Sequence, residues 1–228
     1  FSKYVADGVV QTGYVCVESE HSALSACVGA SLTGARVFTA TASQGLALMH
    51  EMRYIASGLR CPIVMGVANR ALSAPINIHG DHSDMMGSRD SGWVQIYAEN
   101  AQEAYDWTIM AFKIAEDKDV QLPVSVNLDG FIITHSMEGV DVLEDVTVSK
   151  FLQTREPLFL LDPEKPITVG ALCLQDYYFE FKRQQVEAMQ NVRGVLDRAC
   201  KEYEGISGRN YSALETFGIE DAEAAIIC

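Results

Sequence analysis

The strongest constraint on the fold of this chain is the alternation, over residues 14–129, of short apolar runs with longer helical patterns. The predicted strands are residues 14–17, 36–41, 62–69, 93–98 and 123–129, and the predicted helices are residues 20–33, 44–59 and 100–118. Residues 63–68 are apolar throughout, which is typical of a strand buried on both faces. This order predicts an α/β fold in which helices cover both faces of a mostly parallel sheet.

The pattern changes after about residue 140, and three regions are predicted. Residues 1–140 are expected to form the α/β domain, and residues 141–209 a linker with a long connecting helix. Many charged side chains over residues 177–204 favour a solvated helix. Residues 210–228 are expected to open a second α/β domain. Because the sequence starts without Met and stops in an apolar run, we expect it to be a segment of a longer protein.

The composition excludes several classes of protein. A net charge of -14 argues against nucleic-acid binding, which needs clustered Lys and Arg. No apolar run is long enough to cross a membrane. The six cysteines lack the spacing of zinc or iron–sulfur ligands, so no metal site is predicted in this chain. Their scattered positions favour reduced, buried thiols and a cytoplasmic protein.

The candidate functional residues follow the predicted strands, at the edge where parallel strands end (the carboxyl edge). Glu20 opens the first helix, Ser43, Gln44 and Gly45 follow the second strand, and Arg70 follows the third. Ser43 is also a predicted helix cap, as is Ser19. Ligands of open α/β sheets bind at this edge. A carboxylate and a guanidinium there suit a heterocyclic cofactor and an anionic organic substrate.

Other interpretations of these residues stay open at this point. Glu20 alone is equally typical of a charge at a helix N-terminus, and Arg70 of a surface ion pair. The loop with Asp81, His82 and Asp84 favours a hydrogen-bonded network over a metal centre, because no second ligand cluster exists. A hydrolase lacks its G-x-S-x-G motif, and a dinucleotide-binding domain lacks G-x-G-x-x-G in the first crossover.

Six short segments also match one family, in the same order along the chain. They are Ser19-Glu20-His21-Ser22-Ala23, Thr41-Ala42-Ser43-Gln44-Gly45-Leu46-Ala47-Leu48-Met49, Asn69-Arg70-Ala71-Leu72-Ser73-Ala74-Pro75, Gly80-Asp81-His82-Ser83-Asp84, Asp90-Ser91-Gly92-Trp93 and Asp129-Gly130-Phe131-Ile132. Together they resemble the alpha subunit of pyruvate:ferredoxin oxidoreductases. These thiamine-diphosphate enzymes couple 2-oxoacid decarboxylation to coenzyme A and reduce ferredoxin.

The resemblance implies a pyrimidine-binding domain and assigns roles to the candidates. Glu20 would hold N1′ of the cofactor's aminopyrimidine, and Arg70 would meet the substrate carboxylate. Residues 43–45 would line the pyrimidine pocket, and Asp81 and His82 would lie in a nearby loop. Burial by helical neighbours would raise the pKa of Glu20, whereas the helix N-terminus would lower it.

The resemblance also implies partners. Thiamine diphosphate would be shared with a beta subunit, and Mg²⁺ and [4Fe-4S] clusters would lie in partner chains. Pyruvate, coenzyme A and ferredoxin would be the reactants, in either direction, within a hetero-oligomer. A family segment of the Tyr-Pro-Ile-Thr-Pro type and the G-D-G…N-N signature are both absent from this sequence, so the chain alone is expected to be inactive. A branched-chain 2-oxoacid enzyme and a non-catalytic α/β scaffold are the alternatives.

Overall fold

The fold is built on one parallel sheet of four strands, seen in a computed structural model that describes residues 2–10, 14–158 and 160–226. The strands are β1 (Val37–Ala42), β2 (Ile63–Asn69), β3 (Val94–Ala98) and β4 (Val124–Asp129), in the order β1-β2-β4-β3. The helices are α1 (Ser2–Ala6), α2 (Glu20–Leu32), α3 (Ser43–Leu48), α4 (His50–Gly58), α5 (Ser83–Met86), α6 (Ala101–Glu116), α7 (Ile132–His135), α8 (Asp145–Leu152) and α9 (Tyr178–Ser207), with a 3₁₀ turn at Arg89–Ser91. The predicted α/β class and parallel sheet are confirmed.

Four of the five predicted strands lie within one residue of the observed bounds, and the strand at 14–17 is wrong. Those residues are described without strand structure, and the side chains of Tyr14 and Val15 are exposed. Aromatic and β-branched residues resemble a strand in sequence, but a strand forms only where a neighbouring strand can satisfy its backbone. No described strand lies beside this segment.

Helices pack on both faces of the sheet and form two separate clusters of buried side chains. On β2, Ile63 and Met65 belong to the cluster with α2 and α4, whereas Val64 belongs to the cluster with α6, α8 and α9. This alternation follows from the period of two along a strand. The continuous apolar run in β2 is therefore explained by burial on both faces.

The predicted helix at 44–59 is two helices. α3 ends and α4 begins at Met49, whose backbone (φ -81°, ψ -1°) departs from helical values. Met49 is almost fully buried in the core. A single apolar pattern continues through both helices, so periodicity alone could not reveal the break. The consequence is that α3, the shorter helix, lies at the carboxyl edge directly after β1.

Helix α9 was predicted to be surrounded by solvent, and it is instead partly buried. Its bounds agree closely, but one face is buried against the domain over its last two thirds, through Ala188, Val192, Val195, Leu196, Ala199, Cys200 and Tyr203. Their spacing of three and four residues makes an apolar stripe. The chain beyond α9 is held by Asp106, a buried residue of α6 whose carboxylate accepts hydrogen bonds from Arg209 at 2.6 and 2.9 Å and from Tyr211 at 2.6 Å.

Residues 212–226 are described without a helix or strand, and the second domain predicted there stays a prediction. Within the described part of the chain, no helix combines the length and apolar character needed to cross a bilayer. The cysteine prediction is partly wrong, because Cys61 and Cys200 are buried but Cys16 is exposed.

Candidate functional site at the carboxyl edge

Glu20 is the first residue of α2, and that end of the helix lies at the carboxyl edge. The Ser19 hydroxyl accepts a hydrogen bond from the backbone N–H of Ser22 at 3.4 Å, so the predicted cap is confirmed. The prediction that helical neighbours bury Glu20 is wrong, because its side chain is exposed. Side chains in a helix lean toward its N-terminus, and a residue in the first position therefore extends beyond the helix that would cover it.

Gly45 of α3 lies directly against the Glu20 carboxylate. A Cβ atom at this position would stand 3.0 Å from Oε1 of Glu20 and 2.6 Å from Oγ1 of Thr41. Any side chain here would occupy the space beside the carboxylate. The glycine thus lets the Glu20 carboxylate pack closely on α3, and we call this arrangement the Glu20–Gly45 cradle.

Ser43 has a different role from the predicted helix cap. Ala42 is the residue that precedes α3, and the buried Ser43 hydroxyl donates a hydrogen bond to the carbonyl oxygen of Ala71 at 2.8 Å. Ser43 has φ +40°, a conformation that non-glycine residues rarely adopt. Gln44 adds a second contact to the same loop, since its amide donates to the Ser73 hydroxyl at 2.8 Å. The segment after β1 is therefore bonded to the segment after β2.

Arg70 follows β2 at once and is half-buried. Its backbone N–H donates to Asp84, but no hydrogen bond or ion pair joins its guanidinium to another side chain within the described ranges. The predicted alternative, an ordinary surface ion pair, thus has no partner among those residues. Gly130, after β4, packs against the Arg70 side chain, where an added Cβ would meet the Cβ of Arg70 at 3.4 Å. Its permanently charged, planar guanidinium is therefore available to bind the carboxylate of a ligand.

The imidazole of His82 forms a hydrogen bond with Asp129, the last residue of β4, and not with the loop that carries His82. Its Nε2 lies 2.6 Å from Oδ1 of Asp129, and its ring lies 4.9 Å from the ring of Tyr97. Burial raises the pKa of Tyr97 to about 12, so this phenol stays protonated. In the sheet, Asp129 pairs with Asn69, the residue before Arg70. His82 therefore lies on the same edge as the arginine, and its partner Asp129 was not predicted.

Asp81, His82 and Asp84 bond in three different directions. Asp81 accepts the backbone N–H of Ser83 at 2.7 Å, and hydrogen bonds from Ser83 lower the pKa of this exposed carboxyl. His82 faces Asp129, whereas Asp84 is buried and accepts hydrogen bonds from Ser43 and Arg70. The three side chains do not converge on one point, as a metal centre would require. Asp84, which the sequence places in this hydrogen-bonded loop, is the member whose contacts reach the segments after β1 and β2.

Taken together, the edge carries an exposed carboxylate beside Gly45, then a guanidinium that no other described side chain pairs with, then a histidine–aspartate pair. These groups are joined along the ends of β1, β2 and β4 by hydrogen bonds and close packing. An exposed carboxylate can share a proton with a ring nitrogen such as that of an aminopyrimidine, and a guanidinium can bind a carboxylate. The fold and this edge define the class of the protein, an α/β domain that presents a carboxylate and a guanidinium at the carboxyl edge of a parallel sheet.

The chain belongs to the family described as pyruvate flavodoxin/ferredoxin oxidoreductase, thiamine diphosphate-binding, whose model matches residues 1–201. The pyruvate synthase subunit PorA of Thermotoga maritima is 57% identical over 228 residues, covering 100% of this chain and 58% of that protein. The PorA subunit of Methanothermobacter thermautotrophicus is 50% identical over 226 residues, covering 99% and 59%. The predicted family is thereby confirmed.

Two further relatives show the breadth of the likeness. The ketoisovalerate oxidoreductase subunit VorA of Pyrococcus horikoshii is 46% identical over 224 residues, covering 97% of this chain and 56% of that protein. A solved 2-oxoglutarate:ferredoxin oxidoreductase from Magnetococcus marinus superposes with a TM-score of 0.62 at 18% identity, covering 84% of this chain and 39% of that chain, and this likeness concerns the fold alone. The chain spans less than three fifths of the length of these relatives.

Proposed function

We propose that this chain is the pyrimidine-binding part of a 2-oxoacid:ferredoxin oxidoreductase that acts on pyruvate. The reaction joins pyruvate and coenzyme A to give acetyl-CoA and CO₂ while ferredoxin is reduced, or runs in reverse as pyruvate synthesis. The observation that carries the proposal is the Glu20–Gly45 cradle, which hydrogen bonds from Ser43 and Gln44 join to the segment after Arg70. The Arg70 guanidinium has no ion-pair partner among the described residues. The names of the PorA relatives support pyruvate as the 2-oxoacid.

Glu20 and Gly45 would act on the cofactor. Bound thiamine diphosphate supplies an electron sink at its thiazolium ring, once C2 of that ring has lost a proton. The Glu20 carboxylate would hold a proton at N1′ of the pyrimidine ring, because a carboxyl group can share that proton and an amide cannot. Gly45 would leave the space that the ring needs beside Oε1.

Arg70 would bind and orient the substrate. Its planar guanidinium can donate two parallel hydrogen bonds to the carboxylate of pyruvate. The hydrogen bond from its backbone N–H to Asp84 keeps the start of the loop in place. Residues 71–73, bonded to Ser43 and Gln44, would hold the substrate-binding loop against the cofactor cradle.

The partners are proposed on the same basis. A beta subunit would bind the diphosphate and its Mg²⁺, and ferredoxin-like subunits would carry the [4Fe-4S] clusters. The relatives are themselves named as subunits, which supports a hetero-oligomer. We place the assembly in the cytoplasm, where its thiols would stay reduced.

The test is Glu20→Gln in the complex assembled with its partner subunits. Pyruvate-dependent ferredoxin reduction is expected to fall by about 10²-fold or more, the usual loss for proton-transfer and electrostatic steps. The matched control is Glu18→Gln, an equally exposed glutamate two residues earlier whose carboxylate accepts a hydrogen bond from the Ser22 hydroxyl. A Glu20→Gln complex that works at the wild-type rate would refute the assigned role.

The VorA likeness favours a branched-chain 2-oxoacid as the second candidate substrate. Comparing kcat/KM for pyruvate with kcat/KM for 2-ketoisovalerate in the same complex decides between the two. A non-catalytic scaffold predicts something different, namely no change in the stability or spectrum of the complex when thiamine diphosphate is titrated.

A further inference from the structure

Asp84 is a buried carboxylate whose two oxygens accept four hydrogen bonds, and it is only 4% exposed. Oδ2 accepts the backbone N–H groups of Ser43 and Arg70, both at 3.2 Å. Oδ1 accepts the side-chain amide of Asn69 at 2.9 Å and the backbone N–H of Met85 at 2.7 Å. A carboxylate offers about four lone-pair sites, so its capacity is fully used.

The two donors to Oδ2 come from the two halves of the candidate site. Ser43 begins α3, two residues before Gly45 and its contact with Glu20. Arg70 follows the neighbouring strand, β2, and carries the unpaired guanidinium. Because a single oxygen accepts from both N–H groups, it couples the position of one segment to the other.

We infer that Asp84 is a positioning residue, which fixes the substrate-binding Arg70 relative to the cofactor cradle at residues 43–45. The inference rests on the proposed function and adds to it a residue that is expected to touch neither cofactor nor substrate. An error of 1 Å in the position of a binding group can cost about 10²-fold in rate. A residue that fixes the distance between Arg70 and the cradle therefore affects the rate of the reaction.

A buried cation on α4 lies within electrostatic reach of Asp84. Arg53 of α4 is fully buried, with its guanidinium 5.0 Å above the ring of Trp93. Burial lowers the pKa of Arg53 to about 10, and Asp84 is among the nearby acidic groups that oppose this shift. Arg53 thus stays protonated at neutral pH. An ionised carboxylate is a stronger acceptor for backbone N–H groups than a neutral amide would be.

The test is Asp84→Asn in the assembled complex. The amide has a single acceptor oxygen, so in either orientation its NH₂ group faces at least one backbone N–H that the carboxylate had satisfied. Amide hydrogen exchange, followed by mass spectrometry on peptides covering residues 42–46 and 69–72, is expected to quicken. The KM for pyruvate is expected to rise about tenfold or more, the loss of one charged hydrogen bond, with a smaller fall in kcat.

Asp106→Asn is the matched control, because Asp106 is a similarly buried carboxylate of α6 that accepts hydrogen bonds from Tyr203, Arg209 and Tyr211. It is expected to lower the melting temperature without changing the KM or the exchange of those peptides. In an Arg70→Ala background, Asp84→Asn is expected to raise the KM no further, since coupled residues are non-additive. A merely structural role for Asp84 predicts additive effects and the same kinetic pattern as Asp106→Asn, and either result would overturn the inference.

The two proposals fail in different ways. If the wild-type complex shows no pyruvate-dependent activity, the proposed function fails, while the exchange data still decide whether Asp84 holds the two segments. If Asp84→Asn does not fold, Asn69→Ala removes one of the donors on Oδ1 and gives the same test with a smaller rise in KM. An unchanged KM in the folded Asn69→Ala complex also overturns the inference.

Discussion

Gly45→Ala separates the stability of the fold from the chemistry at its edge. The added methyl group would stand 2.6 Å from Oγ1 of Thr41 and 3.0 Å from Oε1 of Glu20. Both atoms end movable side chains, and the Glu20 side chain is exposed. We therefore expect both to move aside while the backbone of α3 stays in place.

The expected magnitudes differ for folding and for function. Alanine is favoured over glycine in a helix by about 1 kcal/mol, and this gain offsets the cost of moving the two side chains. The net change in the free energy of unfolding should lie within about 1 kcal/mol of zero, or about 2–4 °C in Tm for a domain of this size. Displacing Oε1 from the ring nitrogen loses a charge-assisted hydrogen bond of about 1.5–3 kcal/mol. That corresponds to an apparent Kd for thiamine diphosphate about 10- to 150-fold higher.

The assay is a thiamine diphosphate titration of the assembled complex, followed by calorimetry and by ferredoxin reduction, with thermal unfolding measured in parallel. Gly29→Ala is the control, because Gly29 lies within α2 and an added Cβ there meets nothing within 4 Å. That control should be slightly more stable and unchanged in its cofactor affinity. A Gly45→Ala complex with wild-type affinity for the cofactor would refute the cradle.

Two further predictions concern stability. Gly130→Ala should destabilise the chain by about 1–3 kcal/mol, because its Cβ would lie 2.6 Å from a backbone carbonyl oxygen at the end of β2 that cannot rotate away. Thermal unfolding measures this loss, and Gly58→Ala is the control because an added Cβ there has open space. Asp106 gives an acid dependence: burial acts to raise the pKa of its carboxyl, but hydrogen bonds from Arg209 and two tyrosines prevail and hold it below the ordinary value of 3.8. The stability that the ionised carboxylate contributes is complete above that pH and is lost as the pH falls through the lower pKa of the folded state. In urea unfolding, the difference in the free energy of unfolding between wild type and Asp106→Asn should therefore shrink below about pH 4. A constant difference down to pH 2 would contradict this.

Most of the sheet could be predicted from the sequence because burial on both faces leaves a local signature. The apolar runs that became β2 and β4 are visible without any knowledge of their neighbours. The segment at 14–17 carries a similar signature and is exposed, because nothing local encodes whether a strand has a partner. The break at Met49 was equally hidden, since a buried methionine fits a helix interior and a helix junction alike.

The candidate site was predictable to the extent that it depends on topology. Parallel strands bring Gly45 and Arg70 to one edge whatever their side chains do. Glu20 follows no described strand and reaches the same edge as the first residue of α2. The contacts among the loops were not predictable, because they join residues far apart in sequence. Asp81 accepts a hydrogen bond from the nearby backbone N–H of Ser83, whereas Asp84 is buried and accepts one from the backbone N–H of Ser43. The spacing of the two aspartates in the sequence does not indicate this difference.

The exposure of Glu20 has a consequence for the proposed chemistry. Electrostatic catalysis depends on excluding water, since a carboxylate in bulk solvent interacts weakly with a ring nitrogen. The described residues leave Glu20 open, and large apolar side chains beside the same edge are exposed too, with Ile76 at 73% and Ile132 at 57%. The proposed chemistry therefore requires a surface from outside the described residues to shield the carboxylate from water. Under the proposed function, this chain positions Glu20, Gly45 and Arg70. Assembly with a partner subunit then excludes water from the site, which strengthens the electrostatic interactions on which the reaction depends.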